Sequence, residues 1–174
     1  MKNYLLKMRG QGASPPRPPL AEIARGWLGA FVGLAALGFI HERLSASLEV
    51  ALLFGPFGAS AVLVFAAPKS PLAQPRNLLC GHLLSALTGI AVCNLLPEPV
   101  WLAGALAVST SIALMHLTGS LHPPGGATAL VAALTGAGPG YAIFPVAAGA
   151  VTLLALAVAL NNAMPGRSYP EYWW

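Results

Sequence analysis

Leu121-His122-Pro123-Pro124-Gly125-Gly126-Ala127-Thr128-Ala129-Leu130 sets a histidine, two prolines and two glycines inside a chain that is otherwise mostly hydrocarbon. Proline suits the first helical position, where its missing N–H would be unpaired anyway, and glycine lets a ligand or another backbone come close. The stretch therefore predicts a helix that begins at an unusual depth. The N–H groups of Gly125, Gly126 and Ala127 are expected to lack intrahelical partners and to point outward at the positive end of the helix dipole. Such an end attracts anions.

Around that stretch, 56% of the 174 residues are hydrophobic and only 8% are charged. Mean hydropathy is +0.70. An ordinary solvated surface, about a quarter charged, cannot be built from this composition, so the chain is expected to spend most of its length in lipid. The net charge of +4 and pI of 9.4 do not indicate nucleic acid, because the basic residues lack aromatic interleaving and sit mainly at segment ends. One domain is expected, with residues 1–23 as a flexible polar leader, 24–165 as the transmembrane domain and 166–174 as an interfacial tail carrying Tyr169, Tyr172, Trp173 and Trp174. The first apolar stretch follows a long polar leader and lacks a small-residue cleavage site, so it is expected to be a retained span. Cys80 and Cys93 fall on nearly opposite sides of one predicted helix, and no Cys/His metal spacing exists. Neither a metal nor another cofactor is expected.

Apolar runs between breakers predict six segments: Ala24–Ile40, Leu48–Ala67, Leu78–Leu96, Val100–Leu117, His122–Thr135 and Tyr141–Leu160. The fifth is too short to span a bilayer and the second is interrupted at Gly55-Pro56, so both are expected to be broken or half-helices covered by protein or lining a cavity. A shift of 68 positions aligns Pro56 with Pro124, Gly58 with Gly126, Ala59 with Ala127, Ser60 with Thr128 and Ala61 with Ala129. With no gap it also aligns Gly81 with Gly149, Asn94 with Asn162 and Pro97 with Pro165. Two copies of one plan follow, each running helix, broken helix, helix. With six crossings and the N-terminus inside, Lys2, Lys7, Arg9, Arg17, Arg25, Lys69, Arg76 and Arg167 lie on the inner side against Arg43 alone outside, whereas re-entrant loops would move Lys69 and Arg76 outward. Three crossings per copy makes the repeats inverted. The expected fold is an all-α membrane protein of two inverted three-segment repeats.

Phe57-Gly58-Ala59-Ser60-Ala61-Val62, Ser70-Pro71-Leu72-Ala73-Gln74-Pro75-Arg76-Asn77, Gly81-His82-Leu83-Leu84-Ser85-Ala86-Leu87 and His122-Pro123-Pro124-Gly125-Gly126-Ala127-Thr128-Ala129 together resemble the HPP family of integral membrane proteins. The resemblance runs from about Arg25 to Trp173. It implies a bacterial inner-membrane protein, similar to relatives linked to nitrite transport, in a family usually described with four spans.

Aspartate is absent, and Glu22, Glu42, Glu49, Glu98 and Glu171 fall in tails, loops or segment ends, so no carboxylate is expected deep in the bundle for a cation. The intramembrane polar groups are hydroxyls (Ser60, Ser85, Thr88, Ser109, Thr110, Ser111, Thr128, Thr152), histidines and helix N-termini, mainly donors suited to a small anion or neutral solute. The expected function is therefore a transporter or channel for a small inorganic anion, with nitrite supplied by the resemblance. Gly58, Ala59 and Ser60 from one copy, and Gly125, Gly126, Ala127 and Thr128 from the other, are the expected donors. His122 is the candidate proton or gating group, since imidazole changes charge near neutral pH. His82, Ser85 and Arg76 are candidate pathway residues. Each has a plainer role: His122 as a helix cap, the Gly-rich starts as close helix crossings, His82 and Ser85 as packing, Arg76 as an interfacial anchor. Asn77 is expected to cap the third helix, Ser70–Pro75 to form a fixed turn, and Gly29 with Gly33 to be a packing surface between helices or protomers. An enzyme is not expected, because GxSxG, HExxH and aspartate are all missing. A non-transporting scaffold or partner-binding subunit is the alternative. So few short segments leave little bulk around a polar pathway, which suggests a homo-oligomer in the bilayer.

Overall fold

In a computed structural model, residues 7–8, 12–44 and 54–174 are described. Lys2, Arg9 and the first residues of the second apolar segment, 48–53, lie outside them. Among the described residues six α-helices follow one another: α1 (Leu20–Leu44), α2 (Phe54–Ala61), α3 (Pro75–Leu95), α4 (Val100–Leu117), α5 (Pro123–Thr135) and α6 (Ala148–Ala163). Among the described residues there is no strand. Helix α2 runs directly into a wider π-helical turn, Val62–Ala66, and a 3₁₀ turn, Pro71–Ala73, precedes α3. Among the described residues four stretches are long and apolar enough to cross a membrane: Leu20–Ile40, Pro75–Leu95, Val100–Leu117 and Ala142–Ala163. The four spans implied by the resemblance and the six apolar segments thus describe one architecture of four long helices and two short ones.

The helix ends follow from local chemistry. Pro75 and Pro123 occupy first-turn positions of α3 and α5, after extended residues Gln74 and His122, because a residue before proline avoids the helical region. Gly136, at φ 61° and ψ 41°, closes α5 in the left-handed conformation that glycine adopts without steric cost. The sixth segment is itself broken, contrary to the unbroken run expected there. Phe144 is extended (φ −130°, ψ 120°) before Pro145, which offers no N–H to the helix, and regular α6 starts at Ala148.

Between helices in lipid, burial of apolar surface supplies little drive, so close backbone approach takes its place. Helix α5 lies along α3, with Gly125 against Gly81 and Gly89 against Ala129 and Ala132. Gly29 and Gly33 of α1 seat the Phe65 ring of the π-turn. That face is therefore filled from within the chain rather than left for a second protomer. Phe57, Phe65, Leu78, Val146 and Leu153 fill the core around these contacts. Trp27, Phe31, Leu87, Trp101, Leu106 and Val151 face outward, as a lipid-facing surface requires.

Polar contacts show which ends lie together. Arg167, beyond α6, donates to Glu22 at the start of α1 and to the Phe65 carbonyl at the end of the π-turn. Arg76, at the start of α3, donates to the Thr118 carbonyl just past α4. Arg25, Lys69, Arg76 and Arg167 therefore share one end of the bundle. Gly81 packs on His122, so α5 begins six residues into α3, about 9 Å below that end.

Candidate functional site

At that depth α2, α3 and α5 meet around four buried polar side chains. Ser60, His82, His122 and Thr128 are each 0% exposed, which decides that water does not solvate them from the surface. Ser60 Oγ lies 2.8 Å from His82 Nε2 and 2.8 Å from His122 Nε2. His82 Nδ1 lies 2.8 Å from Thr128 Oγ1, and His122 Nδ1 lies 2.8 Å from the Leu72 carbonyl. The imidazoles meet edge to face at 4.9 Å, and the Phe57 ring packs on His82 at the same centroid distance. One continuous chain results: Leu72, His122, Ser60, His82, Thr128. Its two hydroxyls come from positions matched by the 68-residue shift.

Each member is held by its element. His122 is the N-cap residue of α5, but its side chain makes no cap bond and its ring turns inward instead. Gly81 makes room for it, since a Cβ there would overlap the His122 Cβ. Leu72 belongs to the 3₁₀ turn, which Ser70 caps by accepting from the Leu72 N–H at 3.2 Å. Gln74 is buried and donates to the Pro68 and Ser70 carbonyls, so the expected fixed turn is present and covers the chain from the charged end.

The other expected donors are placed differently. Gly125 donates its N–H to the His122 carbonyl at 2.8 Å and abuts Gly81 and Ser85, so it is a packing residue rather than a free donor. Gly126 and Ala127 line an apolar groove of about 520 Å³ with Val108, Ile112 and the exposed His116, on the outer side of α4 and α5. Ala59 is exposed and Gly58 is half-buried with open space beside it. Ser85 is buried beside Gly125 and its hydroxyl reaches only the Met115 sulfur, at 3.9 Å. Arg76 is spent on Thr118. Thr88, Ser109, Ser111 and Thr152 turn back onto carbonyls of their own helices, a local bond always within reach of a helical hydroxyl.

Asn77 does not cap α3. It lies inside the first turn and donates to the Leu121 carbonyl at 2.9 Å, tying down the approach to α5. Two further features were not expected from the sequence. Arg167, with a side chain only 5% exposed, joins Glu22, Asn161 and Phe65, where its position had suggested only a topology signal. Tyr169 is buried and donates to the Ala73 carbonyl at 2.6 Å, while Tyr172 reaches Pro71, so these tail aromatics brace the turn over the site. Trp173 and Trp174 remain exposed. Among the described residues, no group of three His, Cys, Asp or Glu is placed to hold a metal ion.

A family model described as HPP, transmembrane region, matches residues 15–170. Two Dictyostelium discoideum proteins, both named only as transmembrane proteins, are similar throughout: one is 45% identical over 98% of this chain and 57% of its own length, the other 46% identical over 98% and 63%. The chain thus spans about three fifths of the length of these curated relatives. No solved structure matches.

Proposed function

On the premise that this chain belongs to the HPP transmembrane family, we propose that it carries a small inorganic anion, nitrite first among candidates, across a membrane. The observation that carries this reading is the fully buried Ser60–His82–His122–Thr128 chain, assembled inside a membrane bundle with no carboxylate or ammonium group bonded to it among the described residues. Polar groups are costly in such a setting, and their usual place there is a substrate or ion path. Hydroxyl and imidazole donors suit a weakly held monovalent anion. Gly58, half-buried on α2 two residues before Ser60 with open space beside it, is the proposed approach from α2.

Two inverted repeats are part of the proposal. The Gly81–Gly125 contact has a counterpart in Gly149, which packs on Phe57, and both partners are displaced by 68 positions. Helices α2 and α5 also run in opposite directions past His82. The end that gathers Arg25, Lys69, Arg76 and Arg167 is proposed as the cytoplasmic face, and a bacterial inner membrane as the location. A second copy of the chain is the proposed source of further shielding for so small a bundle.

Purified protein in liposomes, challenged with nitrite, nitrate, formate, chloride and bicarbonate, tests the reading. Nitrite flux above empty vesicles is expected. Ser60→Ala removes the bonds to both imidazoles and leaves buried ring nitrogens unpaired, a loss of about 1.4 kcal/mol or more, so it should slow that flux about tenfold or more. Background flux for every anion would favour the scaffold reading, which the complete pairing of all four side chains supports.

A further inference from the structure

The direction of every hydrogen bond in the buried chain is fixed by its first member. The Leu72 carbonyl can only accept, so His122 carries its proton on Nδ1 and, when neutral, leaves Nε2 bare. The Ser60 hydroxyl must then donate to His122 Nε2, which requires His82 to donate from Nε2 to Ser60. His82 Nδ1 is left bare and takes the Thr128 proton. A neutral chain has one consistent arrangement, and its two histidines are opposite tautomers.

Each hydroxyl also has a second acceptor. Ser60 Oγ lies 3.1 Å from the Pro56 carbonyl, and Thr128 Oγ1 lies 3.5 Å from the Pro124 carbonyl, at positions again related by 68. When Thr128 turns to Pro124, its oxygen becomes an acceptor and His82 can hold protons on both nitrogens. From there the charge passes to His122 in two coupled hops, Ser60 taking the His82 Nε2 proton as it gives its own to His122 Nε2. Every step moves hydrogens alone and leaves every donor with an acceptor. We propose that Ser60, His82, His122 and Thr128 form a one-proton binding site shared by the two imidazoles, with the paired hydroxyls as its switches.

The surroundings define what that charge would meet. Phe57 and Ser60 face the rings from α2, Gly81 from α3, Thr128 from α5, and the Leu72 carbonyl from the turn. Arg76 is turned to Thr118, His116 lies exposed at the outer groove of α4, and the Tyr141 hydroxyl reaches the Thr128 carbonyl at 3.3 Å. From α1 and the tail, Glu22, Arg25 and Arg167 are paired with one another, and Tyr169 is held by Ala73. Among the described residues no carboxylate touches either ring. A buried positive charge without a partner is costly, so a monovalent anion is its natural companion and each should favour binding of the other. This last step rests on the function proposed above; the proton site itself does not.

Protein labelled with ¹⁵N-histidine in lipid nanodiscs gives the test by NMR. The neutral state should show His122 as the Nδ1–H tautomer and His82 as Nε2–H. On acidification their signals should shift together as one proton is shared. Ser60→Ala should free His82 to sample both tautomers and make the two titrate separately, while Thr128→Ser should keep the wild-type pattern and supplies the check where Ser60→Ala does not fold. Matching tautomers, or independent titration in the wild-type protein, would overturn the proton site. Nitrite should move the shared titration to higher pH relative to gluconate; a titration indifferent to nitrite would overturn the pairing of proton and anion. The spectra need no transport, so absent flux with the expected tautomers would count against the transport reading alone.

Discussion

At the scale of single residues, the site depends on where side chains are missing. A methyl group on Gly81 would overlap His122, and one on Gly125 would lie 2.7 Å from the Gly81 carbonyl and 2.8 Å from Ser85 Oγ. A methyl group on Gly58 would meet no neighbouring element within 4 Å among the described residues. Gly81→Ala should therefore destabilise the protein by about 1–3 kcal/mol through overpacking. Gly58→Ala should be neutral or stabilising by up to about 1 kcal/mol, since alanine is the better helix former. Unfolding in detergent micelles measures both, and equal losses would mean the two glycines do the same job. This scale was partly legible in the sequence. Ser60, Thr128 and His122 stood out because a repeat match and a pair of prolines marked them. His82 was marked only as a candidate pathway residue with packing as its plainer role, because a histidine three residues from a serine on an apolar helix also has the spacing of ordinary packing. The donor role expected of Gly125 failed because close approach to Gly81 and a bond back to His122 use the same backbone.

At the scale of elements, α1 is fastened by one ring. Its two glycines four residues apart clasp Phe65, which is fully buried, with the nearest approach at Gly29 being 2.5 Å from Cδ1 to an added Cβ. Gly29→Ala should lower the thermal midpoint, and combining it with Phe65→Leu should cost less than the sum of the two changes, by about 0.5–3 kcal/mol of coupling. Strict additivity would show that the ring and the glycines do not share one contact. All six helices were legible, because apolar length and Gly/Pro breaks are local signals. The partner of the glycine pair was not, since nothing near residues 29–33 names residue 65. The break at Phe144-Pro145 was also passed over, because the run from Tyr141 to Leu160 stays apolar on both sides of the proline.

At the scale of the whole molecule, the C-terminal tail holds the cover over the buried chain. Asn162 and Tyr169 bond to each other through side-chain amide and backbone, and Tyr169 then reaches the Ala73 carbonyl while the Glu171 N–H donates to Gln74. That turn presents the Leu72 carbonyl to His122. None of this was legible from sequence, where a Tyr- and Trp-rich end reads as an interfacial anchor and the bonds from tail to turn span nearly a hundred residues. Burial holds the Tyr169 phenol above its ordinary value, so it stays a donor throughout the neutral range. Tyr169→Phe would strand the Ala73 carbonyl at a cost of about 1–3 kcal/mol, the penalty of an unpaired buried acceptor. Because the loss falls on one turn, it should appear as local opening rather than global unfolding. Amide hydrogen exchange across residues 70–76 should quicken roughly tenfold or more, with α4 unchanged, and His122 Nδ1–H should exchange faster in step with it. Exchange that rises equally in every helix would place Tyr169 in general stability and break the proposed link from tail to turn to His122.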